Sequence, residues 1–175
     1  MSEAAVLAAT AAETLSEKIR NRTAKAGVVG LGYVGLPLAV ELADAGFAVT
    51  GIDLSPDKVN MIQAGHSYVK DVPTPDLARC VQQGKIQASV DFSQLAAVDT
   101  VNICVPTPLR KTKDPDLTYV VQAAKAVAAH LHPGMLIILE STTYPGTTDE
   151  LLLPMFERDS LRAGRDFWLC FSPER

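Results

Sequence analysis

The 175 residues are enough for one domain with a real core and too few for two full ones. With 47% hydrophobic residues, 21% charged residues and a net charge of −4, the composition is that of a soluble globular protein without the basic surplus that nucleic acid or anionic lipid would call for. No nucleic-acid or membrane partner is expected. The N-terminal stretch carries Glu3 and Glu13 and lacks the apolar core of a signal peptide, and no run reaches the roughly 18 apolar residues of a membrane span. Three cysteines, an odd number with no CxxC, fit a reduced cytoplasmic protein.

Leu7, Ala11, Leu15 and Ile19 recur every four residues and predict an amphipathic helix over about 3–20, with its packing left open. From there apolar runs and helical patterns alternate: "AGVVG", "YVGLPLAVELADAG", "FAVTGID", "SPDKVNMIQAG". Strand, helix, strand, helix implies a parallel sheet with right-handed crossovers. Ser55 and Thr74 read as N-caps, each followed by a proline at the first helical position, and Gly46, Gly65 and Gly84 stand where helices end. Further strands are expected at 85–90, 99–105, 135–140 and 167–172, with helices over about 117–132 and 147–158. Six strands complete an α/β, doubly wound, Rossmann-like domain, mostly parallel, with helices on both faces. Runs such as "NICV" and "LIIL" lack alternation, as in strands covered on both sides. The long irregular stretch 106–117 lies at a strand end, where loops tend to be functional.

Gly30, Gly32 and Gly35 follow the first strand and open the next helix, and Asp53 closes the second strand 23 positions after Gly30. In a dinucleotide site, Gly30 permits the turn, Gly32 lets the backbone approach a pyrophosphate, and Gly35 lets helix and strand pack closely. The N–H groups near Tyr33 and Val34 face the phosphates, helped by the helix dipole. Asp53 accepts from a ribose 2′-OH and repels a 2′-phosphate, which favours NAD over NADP. FAD, or a turn with no ligand, is the competing reading. His66, His130 and His132 have no companions at ligand spacing, so no metal site is expected.

The segment "GVVGLGYVGLPLAVELADAGFAVTGIDLSPDKV", with "ICVPTPL", "DPDLTYV", "ESTTYPGTT" and "FSPER", resembles the N-terminal half of the nucleotide-sugar dehydrogenases, typified by UDP-glucose and UDP-N-acetylhexosamine 6-dehydrogenases. The resemblance runs from about Lys25 to Arg175, leaving 1–24 as an N-terminal helical extension and 25–175 as an NAD-binding domain. It implies that a sugar C6 alcohol of a UDP-sugar is oxidised twice at the expense of NAD, through a cysteine thioester, by a homodimeric full-length protein. It matches Gly30, Gly32, Tyr33, Val34 and Gly35 to the phosphate turn, Asp53 and Lys58 to the adenosine ribose, and Pro106 and Thr107 to the strand-end loop against the cofactor. Thr142, with Thr143 as the alternative register, matches a threonine near the nicotinamide. Glu174 matches the glutamate that handles the hydrolytic water, as a carboxylate beside an acyl intermediate can.

The family's cysteine nucleophile, its lysine and asparagine, the central helix and the sugar-nucleotide domain all lie downstream and are not in this sequence. Cys80, Cys104 and Cys170 do not replace the nucleophile: two fall in strands and the third lacks a neighbouring base. The chain is therefore expected to be part of a longer dehydrogenase, and by itself to bind NAD without full turnover. Within the family, the motifs favour the UDP-N-acetylhexosamine branch. Another β-hydroxyacid dehydrogenase relative, or a stand-alone dinucleotide-binding module without chemistry, are the alternatives.

Overall fold

The computed structural model describes residues 3–110, 115–157 and 160–173, with side chains from Ala11 onward. Helix α1 spans Glu3–Arg20, followed by β1 (Lys25–Val29), α2 (Gly35–Asp44), β2 (Ala48–Ile52), α3 (Pro56–Gln63), α4 (Thr74–Gln82) and β3 (Ile86–Ser89). A 3-10 turn at Phe92–Ala97 leads into β4 (Thr100–Ile103), α5 (Thr118–Ala128), β5 (Leu136–Leu139), α6 (Leu153–Phe156) and β6 (Trp168–Phe171). The strands form one sheet in the order β3-β2-β1-β4-β5-β6, and every pairing is parallel. This is the doubly wound arrangement expected from the sequence.

Two apolar clusters sandwich the sheet. Side chains of β1, β2 and β3 meet α2, α3 and α4 on one face, around Val28, Leu36, Ala39 and Leu77. On the other, Val29, Val101 and Ile103 meet α5 and α6 through Val120, Ala124 and Phe156. Val101 and Ile103 are fully buried, each worth about 1.5–3 kcal/mol of burial. Coverage on both faces explains why β4 is buried throughout, its polar Thr100 and Asn102 included. β5 differs from the expectation: Ile137 and Leu139 are buried, whereas Leu136 and Ile138 are only partly so. Leu136 and Ile138 face the side of α2, α3 and α4, which pack on β1 to β3 and leave this end of the sheet less covered.

Local chemistry accounts for most boundaries. Ser55 caps α3, its hydroxyl accepting from the Lys58 amide at 3.4 Å, with Pro56 in the first turn. Gly46, Gly65 and Gly84 take positive φ just beyond α2, α3 and α4. Thr74 departs from its expected role. The cap position falls on Pro73, and the Thr74 hydroxyl accepts from the Ser67 amide across the preceding loop instead. The helix expected over 147–158 is a wide π-type turn at Thr147–Leu152 that tightens into α6. Pro154 has no N–H to give the Glu150 carbonyl four residues earlier, so the regular ladder cannot run through. The unforeseen 3-10 turn is started by Asp91, which accepts from the Ser93 amide at 2.8 Å and the Ser93 hydroxyl at 2.6 Å.

Helix α1 is attached. Leu15 is buried, and Lys18 reaches Asp99 at 2.6 Å while the other Asp99 oxygen accepts from the Lys25 amide at 2.8 Å. Registers place Val29, Ile52, Ser89, Ile103, Leu139 and Phe171 in one row at the carboxyl edge of the sheet. The residues that follow them emerge side by side.

Candidate NAD site

β1 pairs with β2 on one side and β4 on the other, and the chain leaves these strands in opposite directions across the sheet. A crevice opens at the carboxyl ends where the order reverses, the place ligands occupy in such sheets. It has two connected halves that share Gly30, Asp53, Lys58, Val105 and Pro106. One, of about 320 Å³, is bounded by Gly32, Tyr33, Thr107, Glu140 and Thr142. The other, of about 420 Å³, is more apolar, with Leu54, Phe92, Tyr119 and Gln122 on its walls.

The glycine turn is built as its spacing predicts. Gly30 has φ +90°, and a Cβ there would stand 2.7 Å from the Cys104 carbonyl oxygen. At Gly35 a Cβ would come within 1.8 Å of the Gly30 oxygen, so helix and turn touch backbone to backbone. Gly32 is the opposite case: a Cβ would meet nothing within 4 Å, because that side of the turn is the open crevice. Val34 caps α2 without a side-chain acceptor, and the first turn holds no acidic residue. The N–H groups of Gly32, Tyr33 and Val34 take no partner among the described residues. Unpaired donors on a helix dipole, beside a glycine that leaves room, are what a pyrophosphate requires.

Asp53 stands at the tip of β2 with its side chain largely buried. One oxygen accepts from the Leu31 amide at 2.9 Å and receives Lys58 at 3.3 Å, and the other accepts from the Ser55 amide at 2.9 Å. The carboxylate thus braces the turn as well as presenting negative charge to the crevice. Pro106 and Thr107 line it from the β4 loop, and Thr107 donates to the Thr142 carbonyl at 2.9 Å. Ser141 donates to the Val105 carbonyl at 2.7 Å, locking the β4 and β5 loops together. Of the two threonines weighed from the sequence, Thr142 lines the crevice, and Thr143 is half-buried outside its lining. Glu174 lies outside the described residues.

Sequence reasoning missed several residues of the site. Leu54 and Tyr119, both exposed, offer apolar surface to a flat ring. Glu140 emerges beside Cys104, and burial pushes its carboxyl up against the lowering effect of a hydrogen bond from Ser172. The thiols are not activated. Burial pushes Cys104 up to about 12, with Glu140 adding to it. Burial and then the hydrogen bond to Asp44 raise Cys80 to about 11, outweighing the lowering pull of the neighbouring Arg79. Among the described residues no group of three or more His, Cys, Asp or Glu is placed to hold a metal ion, and no helix is long and apolar enough to cross a membrane.

Comparison with known proteins decides the family. The model of the UDP-glucose/GDP-mannose dehydrogenase family, NAD binding domain, matches residues 24–175. The chain belongs to this family. The match is to the family's NAD-binding domain, and the free donors, the open side of Gly32 and the acid at β2 are features that fit this cofactor.

Among the relatives of this dehydrogenase domain is the UDP-N-acetyl-D-glucosamine 6-dehydrogenase of Pseudomonas aeruginosa, 37% identical over 152 residues, covering 86% of this chain and 35% of that protein. The UDP-N-acetyl-D-mannosamine dehydrogenase of Pyrococcus horikoshii is 35% identical, with 85% and 35% covered. The structure of GDP-mannose dehydrogenase from Pseudomonas aeruginosa superimposes with a TM-score of 0.81 at 30% identity, over 86% of this chain and 36% of that one. A UDP-glucose dehydrogenase from Pyrobaculum islandicum gives 0.75 at 31% identity, over 87% and 36%. The chain thus spans about a third of the length of the curated relatives it matches. Relatives with different sugar nucleotides in their names fit it comparably well.

Proposed function

We propose that the chain is the N-terminal cofactor domain of an NAD-dependent UDP-sugar 6-dehydrogenase of the UDP-N-acetylhexosamine branch, acting in the cytoplasm. The observation that carries the dehydrogenase reading is the crevice itself. It has room for a dinucleotide across the switch point, with Asp53 and Lys58 in its middle and Thr142 on the wall away from Leu54 and Tyr119. NAD supplies the hydride acceptor. This chain's residues bind and orient it: the N–H groups of Gly32 to Val34 take the phosphates, Asp53 the ribose, and the Leu54–Tyr119 side the adenine.

Thr142, on a loop held by the Ser141 and Thr107 hydrogen bonds, presents a hydroxyl to orient substrate or water at the nicotinamide end. Glu174 is the second catalytic candidate, a carboxylate for the hydrolytic water. The branch assignment draws on "ESTTYPGTT" and "DPDLTYV" and on the N-acetylhexosamine enzymes among the relatives. The alternative is a dinucleotide-binding module without chemistry.

Titration calorimetry of the 175-residue chain with NAD and NADP, followed by NADH production from the full-length protein with UDP-N-acetylglucosamine, UDP-N-acetylmannosamine and UDP-glucose, tests these readings. NAD binding by the chain, no turnover by it alone, and N-acetylhexosamine oxidation by the full-length protein are expected. Preference for UDP-glucose would overturn the branch, and an inactive full-length protein that binds NAD would favour the module.

A further inference from the structure

The loop between α3 and α4 sends one side chain back to the glycine turn. Tyr68, half-buried against the α2–α3–α4 core, donates its hydroxyl to the Leu31 carbonyl at 2.5 Å, across 37 residues of sequence. Leu31 is the residue between Gly30 and Gly32, and it is gripped on every side. Its amide donates to Asp53 at 2.9 Å, and its side chain is 1% exposed, packed where a Cβ on Gly51 would come within 2.9 Å of it.

A peptide bond is planar and trans, so the carbonyl of Leu31 and the N–H of Gly32 point in opposite directions from one rigid plane. Holding the carbonyl on the Tyr68 side aims the N–H away from Tyr68. Among the described residues no other donor holds the Leu31 carbonyl; the Leu36 amide holds the next carbonyl, that of Gly32, at 3.0 Å, and a Cβ on Gly32 would find no neighbour within 4 Å. A glycine flanked by open space is where a peptide plane turns over most easily. The Lys58 ammonium lies 5.9 Å from the centre of the Tyr68 ring, which ties the same tyrosine to the cation beside Asp53. Burial, then the charge of Asp53, raises the phenol, so the hydroxyl keeps the proton it donates.

We propose that Tyr68 is a positioning residue of the cofactor site: by holding the Leu31 carbonyl it fixes the Leu31–Gly32 peptide with its N–H turned toward the dinucleotide phosphates. The proposal rests on the cofactor reading of the crevice. It accounts for a hydrogen bond that spends a half-buried tyrosine on a turn carbonyl.

Tyr68→Phe removes the hydroxyl and keeps the ring, its packing and its contact with Lys58. The test is a titration of the nitrogen-15-labelled chain, wild type and variant, with NAD, ADP-ribose and adenosine, followed on the amide signals. The variant should bind NAD and ADP-ribose about tenfold more weakly, the equivalent of one hydrogen bond, and adenosine within about twofold of wild type. Its Gly32 amide should also broaden or exchange faster in the absence of ligand. Unchanged NAD affinity, or an equal loss for adenosine, would overturn the proposal, the latter because it marks a tyrosine that only packs the loop. A wild-type chain that binds none of the three would reject the cofactor reading instead. The ligand-free Gly32 signal then decides alone, an unchanged one overturning the role of Tyr68.

Discussion

Gly32 and Gly35, three residues apart in one turn, should respond to the same methyl group in opposite ways. At Gly35 an added Cβ lands 1.8 Å from the Gly30 oxygen, whereas ordinary contact begins near 3.4 Å. The obstacle is backbone, which cannot rotate aside, so α2 must move off the turn by more than an ångström and disturb Leu36 and Ala39 beneath it. Such overpacking costs about 3 kcal/mol or more. For a domain of this size that lowers the melting temperature by roughly 6–12 °C. At Gly32 the methyl meets nothing within 4 Å and requires no unusual φ. Gly32→Ala should therefore change stability by no more than about 0.5 kcal/mol. Its methyl stands instead where the pyrophosphate approaches, so NAD affinity should fall by at least about tenfold, some 1.4 kcal/mol. Circular-dichroism melting and NAD calorimetry on both variants separate the effects. A Gly32→Ala protein that binds NAD as wild type does would refute the placement of the phosphates, and a Gly35→Ala protein that melts normally would refute the close approach.

The remaining predictions concern charge and thiols. Burial works to raise the Asp99 carboxyl, but the hydrogen bonds from Lys18 and the Lys25 amide outweigh it and leave its pKa lowered. A depressed carboxyl contributes stability that is present above the ordinary carboxylate range and is lost as pH falls through the lowered folded value. Helix α1 should thus loosen in strong acid, seen as faster amide exchange around Leu15, and Asp99→Asn should loosen it already at neutral pH; an α1 indifferent to both would sink the account. With burial holding Cys104 and Cys80 as thiols, iodoacetamide at mildly alkaline pH should label the exposed Cys170 first, and mass spectrometry of the native protein finding Cys104 modified as fast would contradict the structure.

What the sequence by itself determined was the local and periodic part. Apolar runs of strand length between helical patterns set six parallel strands, because a crossover of that length admits little else, and Ser55, Pro56 and the glycines after α2, α3 and α4 marked ends by chemistry that acts within four residues. Gly30, Gly32, Gly35 and Asp53 were legible for the same reason: each role follows from its place on a strand–turn–helix unit. Tertiary structure decided the rest. Tyr68 meets Leu31 across 37 residues, Glu140 comes to the crevice through sheet register, and Leu54 and Tyr119 form a wall only when β2 and α5 are neighbours. Pro154 reshaped a helix that periodicity alone had drawn straight, and Thr74 gave its hydroxyl to a loop rather than to the helix it begins. A pattern in sequence carries the period of an element; which side chains meet across elements depends on strand order and register, and those exist only once the sheet has closed its pairings.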